Sequence, residues 1–213
     1  MSGRDPMEFG WWLASRASGI VALVLIALSV AIGLTMAARA VKSPSARRQL
    51  ITIHEHAALA ALVAIAVHGI TLLGDSWLNP GPVGIAVPFV MDYKPVFTGL
   101  GIVGGYVAAI LGLTFYVRRR IGTKRWRNLH RLTPLVYILG VTHTLGAGTD
   151  AGEPWLIAIL LLTGTPILYL GILRALPAAK PAAAPQAPTP AARPHHDRVR
   201  TRGGVPVPTN PGH

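Results

Sequence analysis

The chain has 213 residues, 51% of them hydrophobic and only 13% charged, with a mean hydropathy of +0.47, and a soluble domain cannot hide that much apolar surface. Twenty Lys and Arg against eight Asp and Glu leave a net charge of +12, which in a soluble protein suggests nucleic acid but in a membrane protein records which loops stay in the cytoplasm. The absence of cysteine excludes disulfides, Fe–S clusters, thiolate metal sites and cysteine nucleophiles.

Five apolar runs follow one another, at about 11–38, 51–74, 95–117, 132–148 and 155–176, against the ~20 helical residues that a bilayer core requires. The first could be read as a secretory signal ending in Met36-Ala37-Ala38-Arg39-Ala40, but it is too long and has only Arg4 ahead of Trp11-Trp12. The fourth run spans only if its helix begins near His130. Between the second and third lies Asp75 to Lys94, rich in Gly and Pro, expected as an outer loop with an interfacial piece. From residue 177 onward the chain holds nine of its eighteen prolines, and this composition predicts a disordered tail. His195, His196 and His213 lie in it and receive no role. The expected organisation is thus an all-α, polytopic, five-span bundle over residues 1–176 and a disordered cytoplasmic tail over 177–213.

Charge orients the bundle. The connections after the first and third runs, together with the tail, carry seventeen of the twenty Lys and Arg, whereas Asp5, Glu8, Asp75, Asp92, Asp150 and Glu153 fall on the opposite side. The positive-inside rule places the N-terminus outside and the C-terminus in the cytoplasm of a multi-pass cell-membrane protein. The positive charge therefore needs no nucleic acid to explain it, and none is expected as a partner beside membrane lipid. Trp11, Trp12, Trp77 and Trp155 read as interface anchors.

Five of the eight histidines fall in or at the ends of two spans: His54, His56 and His68 in the second, His130 and His143 in the fourth. Both spans leave the cytoplasmic side, so they run parallel. The 14 residues from His54 to His68 amount to about 1400°, placing both imidazoles on one face about 21 Å apart. His56 fits worse, about 120° away, and stands as a neighbour or an alternative. The 13 residues from His130 to His143 miss by about 140° on an ideal helix, which requires a local distortion; Pro134 is the candidate cause. A single intramembrane histidine is more often a helix-to-helix hydrogen bonder than a ligand. Matched pairs at two depths suit haem instead, because two neutral imidazoles give a six-coordinate iron that passes electrons. A transporter with histidine relays is the rival from another class, although the only acid in these spans, Glu55, lies at the cytoplasmic edge.

On His54 and His68 in the second span, and on Leu129-His130-Arg131-Leu132 followed by Tyr137 and His143 in the fourth, the chain resembles the ferric reductase-like transmembrane domain. That haem module is shared by ferric reductases, NADPH oxidases and bacterial MsrQ/YedZ-type proteins. The resemblance covers roughly residues 11–176. It implies two b-type haems with bis-histidine ligation, His54 with His130 on the inner one and His68 with His143 on the outer. It further implies an oxidoreductase component that takes electrons from a cytoplasmic flavoprotein or quinone. The outer acceptor would be ferric iron, a flavoprotein, a quinone or oxygen. No GxGxxG pattern follows the fifth run, so flavin is expected only through a partner; an MsrQ-like subunit linked to quinone or flavin is the redox alternative. Gly101 and Gly105 form a GxxxG that reads as close helix packing. Arg16 is expected to pair with a propionate of the outer haem, or else to snorkel, and Arg131 or Arg127 to serve the inner one. The basic stretch from Arg118 to Arg127 offers a docking surface for an acidic flavoprotein.

Overall fold

The structure, a computed structural model, describes residues 6–176; Arg4, Asp5 and the whole 177–213 tail, with its histidines and arginines, lie outside the described residues. Among those described, the chain is all helical. The elements are α1 (Pro6–Ala37), α2 (Pro44–Thr71), continued by a 3-10 turn at Leu72–Gly74, α3 (Gly81–Ala86), α4 (Pro95–Leu113), α5 (Arg118–Ile121), α6 (Thr123–His130), α7 (Thr133–Ala147) and α8 (Pro154–Ala175). A proline stands in the first turn of α2, α4, α7 and α8, where its missing N–H has no intrahelical partner to lose and its fixed φ suits the helix.

Four helices are long and apolar enough to cross a bilayer: α1, α2 with its 3-10 extension, α4 and α8. Their outward faces are apolar. On α8, Leu161, Leu162, Leu168 and Tyr169 are 61–78% exposed, a costly arrangement in water and a neutral one among lipid tails. Helical segments are also what hydrocarbon permits, since each satisfies its own backbone. The chain is a membrane protein. The fourth apolar run behaves differently: α7 has 15 residues, about 22 Å of helix, and does not extend back through His130.

The break between α6 and α7 has a local cause. Pro134 has no N–H to offer the His130 carbonyl four residues earlier, and the Thr133 hydroxyl takes that carbonyl instead at 2.6 Å. The Leu132 and Leu135 amides reach back three residues, to Leu129 and Leu132, the tighter 3-10 pattern that turns more per residue than an α-helix. His130 is consequently the last residue of α6 and not the first of α7. The α2 start also differs from the apolar run: Ser43-Pro44 begins the helix ahead of it, so Arg47 and Arg48 belong to α2 and not to a loop.

α1 is the central helix, packed against α2, α7 and α8, while α4 packs chiefly on α7. Leu23, Ala27, Val30 and Leu34 of α1 form the core with Tyr137 of α7 and Ile167 of α8. The Tyr137 hydroxyl is 2.8 Å from Thr163 Oγ1, so this buried phenol is satisfied within the protein and serves packing. Asp75, buried, accepts hydrogen bonds from the Trp77 and Leu78 amides and fixes the start of the loop between α2 and α4.

Candidate cofactor site

The structure brings the four histidines together in two pairs. The rings of His54 and His130 have centroids 5.9 Å apart at 89°, and those of His68 and His143 are 6.2 Å apart at 77°. Two contacts in the same chain order make α2 and the α6–α7 segment run the same way. His56 stands apart: it is exposed, and its Nδ1 donates to the Thr52 carbonyl of its own helix at 2.7 Å.

Three of the four imidazoles are fixed by carbonyls of a neighbouring helix. His54 Nδ1 donates to the Ser29 carbonyl at 2.9 Å, His68 Nδ1 to the Ser15 carbonyl at 2.8 Å and His143 Nδ1 to the Phe97 carbonyl at 2.9 Å. A carbonyl only accepts, so in the neutral ring the proton is on Nδ1 and the lone pair on Nε2. This is the tautomer of a metal ligand oriented from behind. The serine hydroxyls add a second contact, at 3.0 Å for Ser29 and 3.2 Å for Ser15. His130 is the exception: its Nδ1 is buried and makes no hydrogen bond.

Room for the rings comes from glycines. A Cβ on Gly19 would stand 3.0 Å from the His68 ring and one on Gly33 would stand 3.4 Å from that of His54, while one on Gly101 would overlap the His143 ring. Gly105, the other half of the GxxxG, faces Ile65 of α2, so the two glycines of that motif serve different neighbours. On α1 the supporting residues repeat as Ser-x-x-x-Gly, Ser15 with Gly19 and Ser29 with Gly33. The repeat of 14 equals the spacing of His54 and His68. Sequence reasoning missed it, although matching intervals on adjacent helices were the available signal.

A cavity of about 950 Å³ lies against the His68–His143 pair, walled mostly by apolar side chains, with Ser15, Arg16, His68, His143 and Asp150 among its polar groups. It runs from Trp77 and Trp155 at one end to Leu59 and Leu113 at the other, which is ample for an extended cofactor. Arg16 is an ion-pair partner of Asp150, with Nε donating to Oδ2 at 2.9 Å, and its guanidinium lies 4.0 Å from the centre of the Trp12 ring. Its carboxylate is thus supplied by the α7–α8 connection, 134 positions away. Arg131 is exposed at the end of α6, and neither Arg127 nor Arg131 has an ion-pair partner among the described residues.

The donor set fits haem. Each pair offers two imidazoles, the axial set that a six-coordinate haem iron takes, and among the described residues no group of three or more His, Cys, Asp or Glu is placed to hold a metal ion. A metal–nitrogen bond of about 2.1 Å plus about 1.1 Å from nitrogen to ring centre sets two axial imidazoles about 6.4 Å apart, against the 5.9 and 6.2 Å found.

No curated protein and no solved structure matches the chain. The sequence profile described as ferric reductase like transmembrane component matches residues 18–141. That stretch contains His54, His68 and His130 and ends two residues before His143. Covering more than half of the 213 residues, the match establishes that the chain belongs to the ferric reductase-like transmembrane component family.

Proposed function

We propose that the protein is a five-span, dihaem b-type membrane cytochrome that passes electrons from a cytoplasmic donor to an acceptor on the outer side. The carrying observation is the pair of imidazole-to-imidazole contacts at haem-compatible spacing. Members of this family generally bind haem, whose iron exchanges single electrons between its ferric and ferrous states. His54 with His130 holds the inner haem, and His68 with His143 the outer. The Ser15, Ser29 and Phe97 carbonyls keep three of these imidazoles in the ligating tautomer. With both axial positions taken, the site leaves no room for an oxygen or substrate ligand, which suits relay rather than chemistry at the metal. Arg16 counters negative charge at the outer cavity and Arg131 does so at the inner end.

The α6–α7 segment forms the fifth span, the end of α6 completing the crossing that the length of α7 leaves short. Arg39, Lys42, Arg47, Arg48 and the α5–α6 cluster stand at the His54–His130 end, which by the positive-inside rule is cytoplasmic. Outward transfer then moves with an inside-negative potential, worth about 2.3 kcal/mol per charge per 100 mV for a full crossing. The donor is a flavoprotein or quinone and the acceptor ferric iron, a flavoprotein, a quinone or oxygen.

The test is transfer across a sealed membrane. Proteoliposomes enclosing dithionite should reduce external ferricyanide with the wild-type protein and lose that activity with His68→Ala. Equal rates for wild type, His68→Ala and protein-free vesicles would refute the proposal.

A further inference from the structure

His130 lacks the hydrogen bond that fixes the other three histidines, yet it is not free to turn. The Trp126 indole, one helical turn earlier in α6, stacks on it with centroids 4.8 Å apart and planes 22° apart. Trp126 meets Phe115 at 5.7 Å, and the Arg118 guanidinium covers that ring at 3.8 Å. A tryptophan serving only as an interface anchor presents its N–H to headgroups or water. In Trp126 the Nε1 atom is buried and has no hydrogen-bond partner. Leaving a buried donor unpaired is costly, and nearly all buried polar groups are paired. Two such nitrogens, Trp126 Nε1 and His130 Nδ1, occur side by side at the inner pair. An orphan donor beside a ligand site points to an acceptor that the bound group brings.

We infer that Trp126 is a positioning residue of the inner haem: its stack holds the His130 ring where no carbonyl does, and its indole N–H donates to a carboxylate of the macrocycle. This rests on the haem reading of the His54–His130 pair. A donor on that carboxylate offsets its negative charge, and removing the donor favours the ferric state of the adjacent iron and lowers its midpoint potential.

The test uses the full chain purified with its haem. Trp126→Phe keeps the ring and removes the N–H, whereas Trp126→Leu removes both. Haem content, the two midpoint potentials and the low-spin ferric EPR signals are the readouts, with His54→Ala identifying which step and signal belong to the inner site. Trp126→Phe should retain the wild-type haem content and lower the inner midpoint alone. Trp126→Leu should also shift the inner EPR signal and lose up to about half the haem, as loss of an orienting partner weakens a ligand. Wild-type midpoints and signals in both variants would overturn the inference; a change confined to Trp126→Leu would support the stack and overturn the donor. If Trp126→Leu fails to assemble, Trp126→Phe still decides the donor. A wild-type protein without haem would overturn the inference together with the haem reading, whereas unchanged variants of a haem-bearing protein overturn the inference alone.

Discussion

Gly101 of α4 lies so close to His143 of α7 that any side chain on it would overlap the imidazole. The placing of His143 therefore depends on a residue that contributes no side chain. Gly101→Val should displace the ring and cost the outer haem, with about 1–3 kcal/mol of strain expected from overpacking. Haem quantification by pyridine haemochrome should show about half the wild-type content per chain. Full content with an unshifted outer midpoint would mean that the helices separate without consequence for the site.

The glycines of α1 should divide by site. Gly19→Leu loads the His68 ring and Gly33→Leu the His54 ring, so the first should perturb the outer midpoint and the second the inner. A two-step redox titration checks this, and identical effects of the two variants would break the assignment of one α1 repeat to each depth.

Ser15 and Ser29 act through their carbonyls more than their hydroxyls, because the shorter contact is with the backbone at both positions. Ser15→Ala and Ser29→Ala should keep full haem content, with a loss of about 0.5–1.5 kcal/mol at most for the missing hydroxyl contact. Thermal release of haem followed at the Soret band measures it. Complete haem loss in either variant would make the hydroxyl the orienting group.

Arg16 and Asp150 form an ion pair at the outer cavity, which gives two variants opposite signs. Removing the cation in Arg16→Leu should lower the outer midpoint, and Asp150→Asn, which leaves the cation uncompensated, should raise it. Potentiometric titration reads both. Shifts of the same sign would show that each variant acts by disturbing the fold.

Much of this arrangement was legible in the chain because it depends on intervals. Long apolar runs set the spans, and the 14-residue spacing of His54 and His68 put both on one face. The 13-residue spacing of His130 and His143 required a distortion near Pro134, and the structure supplies it as a break in which Thr133 takes the carbonyl that proline cannot bond. That break also ends α6 at His130, so the helix of the fourth apolar run does not reach back to it, which periodicity alone could not show. The Arg16–Asp150 pair joins residues 134 positions apart, beyond the reach of any local pattern. Trp126 is illegible for a different reason: among Lys124, Arg125 and Arg127 it reads as part of the basic connection after the third run, and only packing reveals that it stacks on His130.

Whether the four histidines hold two haems is read most directly from a dithionite-reduced minus oxidised spectrum of the purified protein with haem counted per chain. The wild-type protein should show b-type bands and about two haems per chain, and about one after either His68→Ala or His130→Ala. A spectrum with no b-type band, or histidine variants that retain every haem, would contradict it.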